Sequence, residues 1–150
     1  MRRVVLALLL FVLGSSLAQS SGYGLYSGFP TYLGLQYQSA NVRFGVGLSG
    51  YGFGGDVGLI LAKSPLPAAP GVSLDWYYGA GFGLGFWTVL SYSGFYLFPH
   101  GLVGVEYRFP EMPFSAYGEL NLGVGIGLGS LAGWRGIGPD FAGRVGIIFH

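Results

Sequence analysis

From Phe114 to Val124 the chain alternates in chemistry at every step: Ser115, Tyr117, Glu119, Asn121 and Gly123 take one parity, and Leu120, Leu122 and Val124 the other. Successive strand side chains point to opposite faces, so a two-residue period predicts a strand with one polar and one apolar face. Asp140–Phe149 repeats the pattern, with Phe141, Val145, Ile147 and Phe149 on one face and Asp140, Arg144 and Gly146 on the other. Six further segments read the same way: Gly22–Phe29, Thr31–Gln38, Asn41–Ser49, Gly55–Ala62, Val72–Phe86 and Gly101–Phe109. They are separated by Pro30, Ser39-Ala40, Tyr51–Gly54, the Pro-rich Lys63–Gly71, a longer loop over Trp87–His100, Pro110–Pro113 and the Gly-rich Ser130–Pro139. Proline and glycine clusters interrupt paired strands. The expected fold class is therefore all-β: an eight-stranded antiparallel up-and-down barrel.

The charged residues decide which face is inside. Arg43, Asp56, Asp75, Glu106, Arg108, Glu119, Asp140 and Arg144 all fall on the polar parity of their strands. Only 9% of the chain is charged while 51% is hydrophobic, against about 25% charged in a typical soluble domain. A soluble barrel turns its apolar face inward and covers the outside with charge. Here the polar face is sparse and Gly-rich, as in Gly79, Gly81, Gly83 and Gly85, which suits a narrow interior. The inverted, transmembrane arrangement is expected, because lipid tolerates only structures whose backbone groups are all paired internally. Arg43, Glu106, Arg108, Glu119 and Arg144 then form an internal ion-pair cluster near the terminal end of the barrel, plugging the lumen. Charges in such a place need partners; a proton or ion path is the functional alternative.

The amino-terminal residues carry an export signature. Arg2 and Arg3 precede an apolar run from Val4 to Leu13, and Ser16-Leu17-Ala18 supplies small residues at the −3 and −1 positions of a cleavage site. Residues 1–18 are expected to be a signal peptide and residues 19–150 the barrel, placed in the cell outer membrane among its lipids. With no cysteine there is no disulfide framework. A net charge of +1 without a Lys/Arg cluster argues against a nucleic-acid partner.

Other motifs yield to simpler explanations. The run Gly123–Gly129 has glycine at every second position but no lysine and no following helix, so it reads as strand glycines and not as a phosphate loop. His100 could act as a base beside Ser91, Ser93 or Glu106, but its spacing lacks the His-x-Ser pair of outer-membrane lipid A deacylases. No second imidazole stands near it in sequence, so no metal, cofactor or catalytic residue is assigned. Trp76, Tyr78, Trp87, Tyr96, Tyr107, Phe109 and Phe149 recur near strand ends, as interfacial aromatic girdles do.

The segments Phe29-Pro30-Thr31, Asp75–Gly81 and Gly101–Phe109, with Glu119 and the Gly-rich last strand, resemble the small eight-stranded outer-membrane barrels typified by the OmpA transmembrane domain, and uncharacterised outer-membrane barrel families. The resemblance implies a fold and an address, not an activity. The tail from Gly143 to Phe149 is similar to the signal read by the barrel-assembly machinery, although His150 follows the final aromatic. The expected function is a structural or surface-interaction role for a plugged barrel, without enzymatic activity. The alternatives are a narrow channel for small or apolar solutes, and a lipid-modifying enzyme.

Overall fold

The computed structural model describes residues 21–29, 31–49, 52–67, 72–130 and 136–150. The proposed signal peptide lies outside the described residues, as do parts of the Lys63–Gly71 and Ser130–Pro139 connections. Eight strands, β1 (Gly22–Gly28), β2 (Thr31–Ser39), β3 (Val42–Ser49), β4 (Gly52–Pro65), β5 (Ser73–Val89), β6 (Tyr92–Arg108), β7 (Phe114–Gly129) and β8 (Gly136–Phe149), form a closed antiparallel barrel in sequential order. The terminal end holds the start of β1 and the end of β8; the opposite end is called distal below.

The register fixes the shape. Starting at Leu25, paired residues lead through Leu35, Val46, Gly55, Leu84, Leu97 and Ile126 to Ile137, whereas Leu25 itself pairs with Ile147. That ten-residue offset around eight strands corresponds to a strand tilt of about 40° for a rise of ~3.3 Å and a strand spacing of ~4.8 Å. It also makes the distal rim uneven. β1 reaches β8 only as far as Gly28 opposite Arg144, while β8 continues to Gly136.

Besides the expected Ser130–Pro139 loop, whose last four residues, Gly136–Pro139, already belong to β8 and pair with Val124–Gly127 of β7, three connections differ from the expectations above. Trp87–His100 is not a loop: β5 and β6 pair along its whole length and are joined by a two-residue turn, Leu90-Ser91, closed by the Val89–Tyr92 pair. Near this rim both faces are apolar, with Phe95 and Leu97 facing outward and Tyr96 and Phe98 inward, so the alternation that marks a strand disappears. Pro99 pairs with Phe82 of β5, and it fits the strand because the β6–β7 ladder has no pair at Phe98 or Pro99, the register being the same on either side of the gap. Secondly, β4 begins at Gly52, which leaves a shorter connection than Tyr51–Gly54. Thirdly, β4 runs past Ala62 to Pro65, through a bulge between Ile60 and Ala62.

The outer wall is apolar. Leu33, Leu35, Val46, Leu48, Leu120, Leu122, Phe141 and Val145 are each more than half exposed. Aromatic rings form two bands on it. At the terminal end Tyr23 meets Tyr37, Trp76 meets Tyr78, and Tyr107, Phe109, Phe114 and Phe149 follow one another at 4.7 to 5.9 Å. Toward the distal end Phe53, Phe86 and Phe95 lie at 5.3 and 5.2 Å. On β5 the step from Trp76 to Phe86 spans about 25 Å along the barrel axis at that rise and tilt.

Candidate functional site

The interior is built from glycines that make room and large polar side chains that fill it. On paired positions of adjacent strands, Tyr26 lies against Gly34, Tyr77 against Gly104, and Tyr117 against Gly146. A Cβ at Gly104 would stand 2.5 Å from the Tyr77 ring, and one at Gly146 would stand 2.6 Å from Tyr117. Each inward ring therefore needs a bare backbone beside it. The same arrangement recurs distally, where Trp87 covers Gly94 and Gly129, and Tyr96 covers Gly125.

Charges thread between these rings. Arg43 donates from Nη1 to Glu119 Oε2 at 2.7 Å and from Nε to Gln38 Oε1 at 3.1 Å. Its guanidinium stands 4.2 Å from the centre of the Tyr117 ring, and Tyr77 donates to the same Glu119 oxygen at 3.1 Å. Arg144 is paired with Asp56, and donates from Nε to the Tyr117 hydroxyl at 2.9 Å and from Nη2 to Gln36 Oε1 at 2.9 Å. Tyr117 in turn donates to Gln36 Oε1. Lys63 bridges Glu106 at 2.8 Å and Asp75 at 3.5 Å. Arg43, Glu106, Glu119 and Arg144 are all buried.

Four of the five residues expected in the cluster thus point into the barrel, but they do not pair with one another as a single group. Arg43 joins Glu119, whereas Glu106 and Arg144 take Lys63 and Asp56. Arg108 does not join them. It has inward parity but lies at the last position of β6, exposed at the mouth, and makes none of the four described ion pairs. Parity already placed Asp56 and Tyr117 on the inner face, and the structure adds Gln36 and Tyr77 there. Lys63 had no such signal: one extra residue at the Ile60–Ala62 bulge reverses the alternation and swings it inward opposite Tyr77.

His100 is buried. Its Nδ1 lies 2.8 Å from the Phe98 carbonyl oxygen, and its ring stacks on Phe98 at 4.7 Å. Ser93 lies on the same strand, about 23 Å away at ~3.3 Å per residue, and exchanges hydrogen bonds with Ser130. Ser93 and His100 therefore do not make the approach expected of a lipid-modifying centre at His100. No group of three or more metal-ligating side chains occurs among the described residues. At the terminal mouth the His150 Nε2 lies 3.0 Å from Ser115 Oγ, and the His150 amide donates to the Pro113 carbonyl, which fastens the chain end to the β6–β7 turn.

The network does two things chemically. It neutralises buried charge across β2 to β8, and it fills the lumen with side chains held from several strands at once. Comparison with family models, curated proteins and solved structures finds no match, so function is argued from this geometry alone.

Proposed function

We propose that the chain is a small outer-membrane barrel whose lumen is closed by the polar network, and that it serves a structural or surface-interaction role. One observation carries this reading. Of the charged residues described, Arg43, Asp56, Lys63, Asp75, Glu106, Glu119, Asp140 and Arg144 have inward positions, and Arg108 and Glu111 lie at the terminal rim. None occupies the outer wall. In water such a wall would expose a continuous apolar surface far larger than the few hundred Å² that monomers normally show. In lipid it is the favourable surface, and the ~25 Å between the aromatic bands matches the apolar belt of such barrels.

The closed lumen favours the structural role over a channel, because conduction would require breaking paired charges in a low-dielectric interior. The test is fractionation of expressing cells with unboiled and boiled gel samples. A band in the outer-membrane fraction whose migration changes on boiling supports the proposal. A soluble protein whose migration is unaffected by boiling refutes it. Planar-bilayer recording separates plug from channel: steady conductance by the refolded protein would overturn the plug.

A further inference from the structure

Resting on the lipid-facing wall proposed above, we infer that the β1–β3 sector fits a locally thinned bilayer, with lipid headgroups drawn down toward the middle of the barrel on this side alone. Strand length carries the argument. β1, β2 and β3 have 7, 9 and 8 residues, whereas β5 and β6 have 17 each. At the rise and tilt of this barrel each residue adds about 2.5 Å along the axis, so the first three walls stand roughly 15–20 Å tall and the other two about 40 Å. Only two residues join β1 to β2, and two join β3 to β4; links of that length add no more than about 4 Å. The apolar belt of such barrels is about 25 Å tall, so the short sector cannot span it. Tilting the barrel lowers a tall wall but does not lengthen a short one.

The register shows where the shortfall lies. Leu33 pairs with Leu48, Leu48 with Phe53, and Phe53 with Phe86. Those three strand steps climb about 9 Å toward the distal end, and the four residues back from Phe86 to Phe82 descend about 10 Å. Leu33 and Phe82 thus stand at nearly the same height. Phe82 lies well inside the wall, below the distal aromatic band, whereas Leu33 is level with the end of β1 at Gly28 to within ~1 Å.

The polar groups agree with an interface at that level. Ser27 Oγ donates to the Tyr32 carbonyl oxygen at 2.7 Å in an exposed position, and the β1–β2 register shifts between Tyr26 and Gly28. Hydrocarbon offers such groups no partners, while headgroups and water do. Tyr23 and Tyr32, 72% and 74% exposed, mark the terminal and distal edges of the sector. They are only about 16 Å apart along the axis, against about 25 Å from Trp76 to Phe86, and tyrosine prefers the membrane interface. Between them Leu25, Leu33, Leu35, Phe44, Val46 and Leu48 present large exposed side chains without a hydrogen-bonding group. Such a surface suits fluid acyl tails, and a bilayer meets a short wall by thinning.

The experiment introduces Leu33→Cys or Phe82→Cys into the full chain, which has no cysteine of its own. Each variant carries a nitroxide and is refolded into dioleoylphosphatidylcholine vesicles. Collisions with oxygen rise with depth in the bilayer, and collisions with a water-soluble nickel complex fall. The oxygen-to-nickel ratio is expected to be severalfold lower at position 33 than at position 82, and the gap to narrow in dilauroylphosphatidylcholine, whose bilayer is already thin. Equal ratios in the thicker bilayer overturn the thinning while leaving the lipid-facing wall standing, as does a gap of unchanged size in the thinner one. Low access to both reagents at position 33 overturns it in favour of a second copy or another protein covering the sector. Dominant nickel collisions at both positions overturn the lipid-facing wall and the inference with it.

Discussion

Replacing Glu119 by glutamine removes a charge from the centre of the network while keeping its shape. Arg43, 2% exposed, would then retain Gln38 Oε1 and the Tyr117 ring but lose its anionic partner. Removing one member of a buried ion pair costs about 3–5 kcal/mol, because the other charge stays desolvated. The cation–π contact at 4.2 Å offsets part of this, about 0.5–2 kcal/mol, and glutamine still accepts from Tyr77. A loss of about 3 kcal/mol is expected. With urea m-values of ~1–3 kcal/mol/M, the unfolding midpoint should fall by about 1–3 M. Arg43→Met should cost a similar amount, since it strands the Glu119 carboxylate with Tyr77 as its only described donor. The double variant should cost far less than the sum, giving a coupling of at least ~2 kcal/mol. Equilibrium urea titrations of protein refolded in vesicles, followed by tryptophan fluorescence and unboiled gel mobility, measure all four species. Additive effects, or a Glu119→Gln loss below ~1 kcal/mol, would refute the idea that this pair supports the barrel.

Gly104→Val should lower stability by at least ~1–3 kcal/mol, because its side chain would enter the Tyr77 ring and the backbone cannot retreat in a paired strand; an unchanged urea midpoint would contradict this. Leu90 takes a left-handed φ of 54° at the tip of the β5–β6 turn and is 96% exposed, so Leu90→Gly should stabilise by up to about 1 kcal/mol, read as a raised midpoint. Burial, the largest influence, holds the His150 imidazole below its ordinary value of 6.5. A base depressed in this way is neutral in the fold, so its contribution is present above pH ~6.5 and is lost as pH falls through the folded value. The wild-type midpoint should therefore drop more between pH 7.5 and pH 5 than that of His150→Gln, and parallel pH profiles would count against it.

Most of the architecture was legible because parity survives wherever one face is polar. Arg43, Glu106, Glu119, Asp140 and Arg144 announced the inner face by position alone, and Leu120, Leu122 and Val124 the outer. Legibility failed where that contrast vanished or slipped. Between Trp87 and His100 aromatic residues occupy both faces, so a paired hairpin resembles a loop. At Ile60–Ala62 a single bulged residue reverses parity, hiding Lys63 from any period-two reading and with it the partner of Glu106. Arg108 shows the converse: its parity is inward, but it sits at the open mouth, and period alone carries no information about height. The pairing of aromatics with glycines was invisible for a different reason, since it depends on cross-strand register and not on neighbours in sequence.

The most direct test of a polar, plugged interior inside a lipid-facing wall uses the absence of cysteine in this chain. Single cysteines introduced at positions 118 to 124 of β7 would carry a nitroxide, with the protein refolded in vesicles. Collision rates with oxygen, which concentrates in lipid, and with a water-soluble nickel complex are then compared at each position. A lipid-facing wall predicts dominant oxygen collisions at 118, 120, 122 and 124, and low access to both reagents at 119, 121 and 123. Dominant nickel collisions at the even positions would show that water covers the apolar wall, and would contradict the membrane-spanning barrel.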